Sequence, residues 1–177
     1  VDFTGASVDD YASMADTLED NFGQLDGLLH NAAQLGLMTP LASYNPKDWL
    51  TTLHTNLTAP FLLTQALIPL LMNAENASII FTTDAVGKTP NAYWGAYGVS
   101  KAGIDNLMAT LAEELENTTK IRVNSIDPGA VRTNLRRSAF PGEIATESPL
   151  PESIMPCYLY LMGKDSLGIH KQTIAAQ

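Results

Sequence analysis

Tyr97-Gly98-Val99-Ser100-Lys101 sets a phenol and an amine four residues apart at the start of a helical segment. That spacing puts both side chains on one helix face, one turn apart. An ammonium held near a phenol favours the phenolate and lowers the tyrosine pKa. Tyr97 is therefore a candidate general acid/base near neutral pH, with Lys101 as its partner. Such a pair often arises by chance. Here it stands among Asn31-Ala32-Ala33 upstream, Asn56 in a helix, a strand Ile79-Ile80-Phe81-Thr82 just before, and Asn124-Ser125-Ile126-Asp127-Pro128-Gly129 after.

Those residues need elements to hold them. Ser7 or Asp9 is the expected cap of a helix over Tyr11 to Phe22. Leu25 to His30 reads as a short buried strand that ends at Asn31. Asn45-Pro46 opens a helix, with proline suited to the first turn. A helical pattern then continues to about Met72, with Pro60 and Pro69 expected to divide or bend it. Ser78 to Thr83 is a strand rich in Ile, Phe and Thr. Tyr97 to Asn117 is a long amphipathic helix, and Ile121 to Ile126 another strand. Residues 138–151, rich in Pro, Ser, Gly and Glu, read as a loop or lid. A helix over Pro151 to Met162 and a last strand over Gln172 to Ala175 follow. Strands alternating with helices predict one α/β domain over 1–177, with a parallel sheet covered on both faces. Ligands of such sheets bind beyond the carboxyl ends of the strands. Asn31, Asp84 and Pro128-Gly129 each follow a strand there, so one crevice can receive them all.

Composition bounds the rest. The chain has 177 residues, 45% hydrophobic and 16% charged, with a net charge of −9. Binding to a phosphate backbone needs a basic face, so nucleic acid is not expected as a partner. The single Cys157 forms no internal disulfide, which fits a reducing, cytoplasmic setting. The longest apolar stretch, Ala59 to Met72, is short and interrupted by Thr64, Gln65 and two prolines, so no bilayer span is expected. His30, His54 and His170 are far apart and show no metal-ligand spacing.

The same residues give the chain a resemblance to the short-chain dehydrogenase/reductase family, from Asp2 to the end. The matching pieces are Asp2, the Asn31-Ala32-Ala33 turn, Asn56 in Thr55-Asn56-Leu57, Tyr97 with Lys101, and Arg122-Val123-Asn124 leading to Pro128-Gly129 and Thr133. More narrowly, Trp94-Gly95-Ala96-Tyr97, Arg137-Ser138-Ala139-Phe140-Pro141 and the stretch from Ile154 to Gly163 resemble the bacterial YciK-like oxidoreductases. The resemblance implies a Rossmann-type doubly wound sheet, NAD or NADP as cofactor, and a small-molecule carbonyl or alcohol substrate. It also implies residue roles. Tyr97 would exchange a proton with the substrate oxygen, and Lys101 would tune it and bond the nicotinamide ribose. Asn56 would hold a relay water. Asp2 would contact the adenine, with Asn31 and Ala32 lining the adenosine side. Pro128, Gly129 and Val131 would meet the carboxamide, and Thr133 would help hold the cofactor. Asn31 also suits a purely structural role between strands, and Thr133 a helix cap. By the same analogy, the helices over 60–72 and 97–117 would pair copies into a homodimer or homotetramer.

Two departures from the family pattern bear on function. No glycine-rich phosphate loop precedes Asn31, and the family's first two strands and most of the third are not in the sequence. The expectation is an N-terminally shortened chain whose sheet is incomplete, stopping a little short at its other end too. Secondly, the family places a serine thirteen residues before the tyrosine, where this chain has Asp84. Serine donates a hydrogen bond to the substrate oxygen; an ionised Asp84 cannot donate. It would repel an alkoxide and raise the pKa of Tyr97, unless it is held protonated in an apolar site. Thr82 or Thr83 could offer a hydroxyl instead. Two readings follow: an NAD(P)-dependent oxidoreductase, or a non-catalytic member of the family kept for binding or scaffolding.

Overall fold

The computed structural model describes residues 2–177. Four parallel strands form the sheet in the order β1-β2-β3-β4: Gly27–His30, Ser78–Thr82, Arg122–Asp127 and Thr173–Ala175. The sequence places each strand to within two residues. Each α-helical crossover returns the chain to the same end of the sheet, so all four strands point one way.

Helix α1 (Val8–Phe22) starts three residues earlier than the apolar pattern suggests, because Ser7 and Asp10 close a capping box. It stops at Gly23, whose φ of +70° suits glycine and few other residues. Asn45 caps α2 (Pro46–Leu53) by accepting from the Lys47 amide at 2.8 Å. Helix α2 runs through a wide π turn, His54–Thr58, into α3 (Ala59–Met72). The irregularity therefore precedes Pro60. Pro69 does not break α3: it lies on the exposed side, where the unpaired Gln65 carbonyl can meet water. Counted from Pro46, the helical run is 27 residues, long and apolar enough by length and composition alone to cross a bilayer. Half of its apolar window is buried inside the protein. Leu63, Leu67, Leu70 and Leu71 are spent on the core.

Strand alternation divides that core. Leu28, Ile79, Phe81 and Val123 face α1, α3 and α4 (Gly95–Leu115). Ile80 and Ile126 face the other way, onto Tyr158 and Leu161 of α6 (Met155–Met162). Arg122, 5% exposed, fastens that second layer: its guanidinium donates to the Leu161, Gly163 and Ser166 carbonyls at the end of α6. A cation at a helix carboxyl end also suits the helix dipole. His170 ties β3 to α4, accepting from the Val123 amide and bonding the Ala112 carbonyl.

Residues 138–151 are more ordered than a free lid. Ser138 and Ala139 belong to α5 (Asn134–Ala139), and Ala145–Glu147 make a 3-10 turn. Arg136 holds Glu143 by two hydrogen bonds of 2.7 and 2.9 Å, and Glu143 in turn accepts from Ser148. The helix expected from Pro151 is a 3-10 turn (Pro151–Ser153) followed by α6.

His30 gives the fold a pH dependence. Its ring stacks on Phe81 and its Nε2 bonds the Thr64 hydroxyl at 2.7 Å. Burial pushes the imidazole down to about 4 from an ordinary 6.5. The unfolded chain therefore takes up a proton that the folded chain refuses. Stability from this group is complete above about 6.5 and is lost as the pH falls toward 4. His30→Gln is expected to flatten that stretch of the stability profile, by up to about 1 kcal/mol per pH unit. Urea melts of both proteins at several pH values check this, and parallel profiles would exclude His30 as the source.

Candidate active site

A cleft of about 740 Å³ opens at the carboxyl ends of β1, β2 and β3. It gathers Asn31, Ala32, Asp84, Tyr97, Lys101, Pro128, Gly129, Val131 and Thr133, residues spread over a hundred positions of sequence. Two expected site residues are elsewhere. Asp2 does not line the cleft; its carboxylate is used locally, accepting from the Thr4 amide at 3.0 Å and the Thr4 hydroxyl at 2.7 Å. Asn56 lies beneath the cleft rather than in it, 3% exposed.

The elements explain these positions. β2 ends at Thr82, and the Thr83 amide carries the pairing one residue further by donating to the Ile126 carbonyl. Asp84 then caps a 3-10 turn, Ala85–Gly87, accepting from the Val86 amide at 3.0 Å. Gly87 presses this turn onto α4: a Cβ there would stand 2.8 Å from the Ala102 nitrogen and the Lys101 carbonyl carbon. Gly87→Ala must therefore push the turn and helix apart. A loss of about 1–3 kcal/mol is expected, readable as a lower thermal midpoint, with slower turnover because Asp84 and Lys101 move relative to each other.

The centre of the site is a chain of polar contacts. Tyr97, 4% exposed, donates its phenol proton to Asp84 Oδ2 at 3.0 Å. Lys101 Nζ lies 5.5 Å from the Tyr97 ring centre and donates to the Thr82 carbonyl at 2.7 Å. Burial, and then the Asp84 carboxylate, drive the Tyr97 pKa above its ordinary value. This corrects the expectation that Lys101 lowers it: the acid bonds the phenol directly, while the amine is turned to a backbone oxygen. Burial also pulls Lys101 down to about 8, against the opposing pull of Asp84, Asp105 and Asp127.

Asn56 joins the loop after β1 to α4. It accepts from the Gln34 amide at 2.7 Å, and donates to the Gln34 carbonyl at 2.8 Å and to Ser100 Oγ at 3.0 Å. Its side chain is thus committed. Its main-chain carbonyl lacks an α-helical partner, since Pro60, four residues on, has no amide hydrogen. Asn31 Oδ1 accepts from Thr82 Oγ1 at 3.0 Å, which also meets the Tyr158 hydroxyl at 3.2 Å. That occupies Thr82 as a hydroxyl source. Thr83 Oγ1 is buried without a partner, and its residue lines the cleft. Thr133 caps α5, accepting from the Arg136 amide at 3.1 Å, while also lining the cleft. Gly129, at φ +66°, turns the backbone after β3, and its amide donates to Asp127.

The wall formed by Trp94, Phe140, Tyr158 and Arg136 was not among the sequence-derived candidates. Trp94 stands 5.6 Å from both the Tyr97 and Phe140 rings. Only the resemblance of the segments around Trp94 and Phe140 hinted at them.

Comparison with known proteins identifies the family. The short chain dehydrogenase profile matches residues 1–144. The chain is 43% identical over 164 residues to the uncharacterized oxidoreductase YciK of Escherichia coli (strain K12), covering 93% of this chain and 64% of that protein. A solved Pseudomonas syringae structure assigned to the short chain dehydrogenases is 50% identical, with a TM-score of 0.98, covering all of this chain and 72% of its own. A Shigella flexneri relative solved with NADP is 40% identical, with a TM-score of 0.96, covering all of this chain and 73% of its own. The chain thus spans about two thirds of the curated relative and 72% of the solved Pseudomonas syringae chain. A doubly wound parallel sheet, a profile match over most of the length and superposition on solved members lead to one assignment: this chain belongs to the short-chain dehydrogenase/reductase family.

Proposed function

We propose that the chain is the catalytic part of an NAD(P)-dependent oxidoreductase acting on a small molecule, interconverting a carbonyl and an alcohol. The observation that carries this reading is the convergence of Tyr97 and Lys101 at the carboxyl ends of the strands, above the Asn56 junction. A bound nicotinamide would supply or accept the hydride. The residues present fit its nucleoside end. Lys101 has spent one N–H on Thr82 and keeps others for ribose hydroxyls. Thr83 offers an unpartnered buried hydroxyl, and the turn at Gly129 brings backbone close to the cleft. NADP is favoured by the Shigella flexneri relative solved with it.

Tyr97 holds the proton that meets the reacting oxygen. Lys101, partly neutral near its pKa of about 8, would pass a proton between Tyr97 and a relay water held at Asn56. Residues 138–151 would shape the substrate end, through Ala139 and Phe140 in the cleft wall. Helices α3 and α4 would pair copies of the chain, since Phe61 and Val99 stay 45% and 48% exposed on them.

Titration with NADPH, followed by nicotinamide fluorescence with light scattering alongside, tests the reading. Saturable binding by a species of at least dimer mass is expected. A monomer removes the pairing, and absence of binding favours the non-catalytic alternative, in which the Tyr97–Asp84 bond is a structural pin.

A further inference from the structure

We propose that the substrate of this site carries a positively charged nitrogen at or beside its reacting carbon, and that Asp84 with the aromatic wall recognises it. The inference deepens the hydride-transfer reading and rests on it. Asp84 Oδ2 lies 3.0 Å from the Tyr97 hydroxyl, so the carboxylate sits next to the place where the reacting heteroatom meets the phenol. Negative charge there opposes an alkoxide and welcomes a cation. Asp127, at the end of β3, adds a second negative charge that acts on both Tyr97 and Lys101.

Two cations also face the cleft: Lys101, whose single charge is met by two carboxylates, Asp84 and Asp127, and Arg136. Lys101 is turned onto the Thr82 carbonyl, and Arg136 is held by Glu143 with its guanidinium 3.7 Å from the Phe140 ring centre. Trp94, Tyr97, Phe140 and Tyr158 supply ring surface around the carboxylate. Rings of this kind attract cations, alkylammonium groups above all. A carboxylate among aromatic faces is a poor site for a neutral ketone and a good one for an ammonium.

Two substrate types share this chemistry, and their electron balance differs. In an aminoketone, hydride adds to the carbonyl carbon, the π pair moves to oxygen and Tyr97 delivers the proton, with the neighbouring ammonium offsetting Asp84. In an iminium ion, hydride adds to carbon, the π pair moves to nitrogen and no proton is needed. The hydride comes in both cases from the reduced nicotinamide of the proposed function.

Matched probes test this. Phenacyltrimethylammonium and neopentyl phenyl ketone have the same shape and differ in charge. Their binding to the full chain can be followed by quenching of Trp94 fluorescence, without cofactor. The cation is expected to bind at least about tenfold tighter. Asp84→Asn, which keeps an oxygen acceptor for the Val86 amide and turns an amide N–H toward the Tyr97 oxygen, is expected to remove most of that preference. Equal or tighter binding of the neutral ketone overturns the inference, as does a preference untouched by Asp84→Asn. If that variant does not fold, the wild-type pair of affinities decides alone. With NADPH present, N-methyl dihydroisoquinolinium separates the types: Tyr97→Phe should retain its reduction while losing that of the aminoketone. NADPH binding without any cation preference refutes the inference and leaves the oxidoreductase reading standing. Cation preference without NADPH binding supports the cation site and removes the redox reading.

Discussion

Tyr97→Phe is expected to lower carbonyl turnover by roughly a hundred- to ten-thousandfold while leaving NADPH binding largely intact. The substitution deletes one oxygen. The ring keeps its place, buried at 4% exposure and tilted against Trp94. What disappears is the O–H that donates to Asp84 and stands ready for the reacting oxygen. Asp84 is half-buried and keeps the Val86 amide, so water can take up its vacated oxygen and the stability cost should be small. Single-turnover NADPH oxidation beside a thermal melt separates the two effects. Retained turnover would remove Tyr97 from the chemistry; a large fall in melting temperature would make it a structural pin.

Asp84→Ser should act in the opposite direction on a neutral ketone. Serine can still cap the 3-10 turn at Val86, so the local backbone is supported. It gains a donor for the developing oxyanion and removes the charge that, after burial, raises the Tyr97 pKa most. One well-placed oxyanion donor is worth roughly a hundred- to a thousandfold in rate. An increase of about ten- to a hundredfold is expected here, since the donor is new and its surroundings are built for a carboxylate. The sign of the pH effect follows. With Asp84 present, Tyr97 resists giving up its proton, so alcohol oxidation should favour higher pH. Asp84→Ser should move the rising limb of that profile to lower pH. A fall in ketone turnover with an unchanged profile would mean that the carboxylate itself serves the reaction.

Much of the framework was legible because it is short-range. The Ser7 and Asn45 caps, the stop at Gly23 and the β-branched run of β2 each follow from neighbours within a few residues. The alternation of strand and helix, with crossovers of ordinary length, leaves few topologies besides a parallel sheet. Tyr97 and Lys101 share a face by helix geometry alone. The larger boundary changes came where a cap or a 3-10 turn intervened, as at Val8 and at Pro151–Ser153.

The site's contacts were only partly legible, for a related reason. Pairings across the fold depend on which side chains the sheet and helices bring face to face. Spacing suggested that Lys101 would acidify Tyr97 and that Asp84 would oppose it; burial, and then the direct Asp84 bond, hold the phenol above its ordinary value, while the amine turns to the Thr82 carbonyl. Asn56 was recognisable as a site residue, but its bonds to Gln34 and Ser100 span 22 and 44 positions and have no local signature. Asp2 fits the family pattern in sequence and is taken up by Thr4 in space. Gly87 is one glycine among twelve until α4 is found against it. Local residue order thus carries the sheet, the caps and the Tyr97–Lys101 face, because backbone sterics and helical periodicity act over a few residues. Which proton Tyr97 keeps, and which charge the cleft welcomes, depends on groups that only tertiary packing brings within about 3 Å of each other, the range in which hydrogen bonds form.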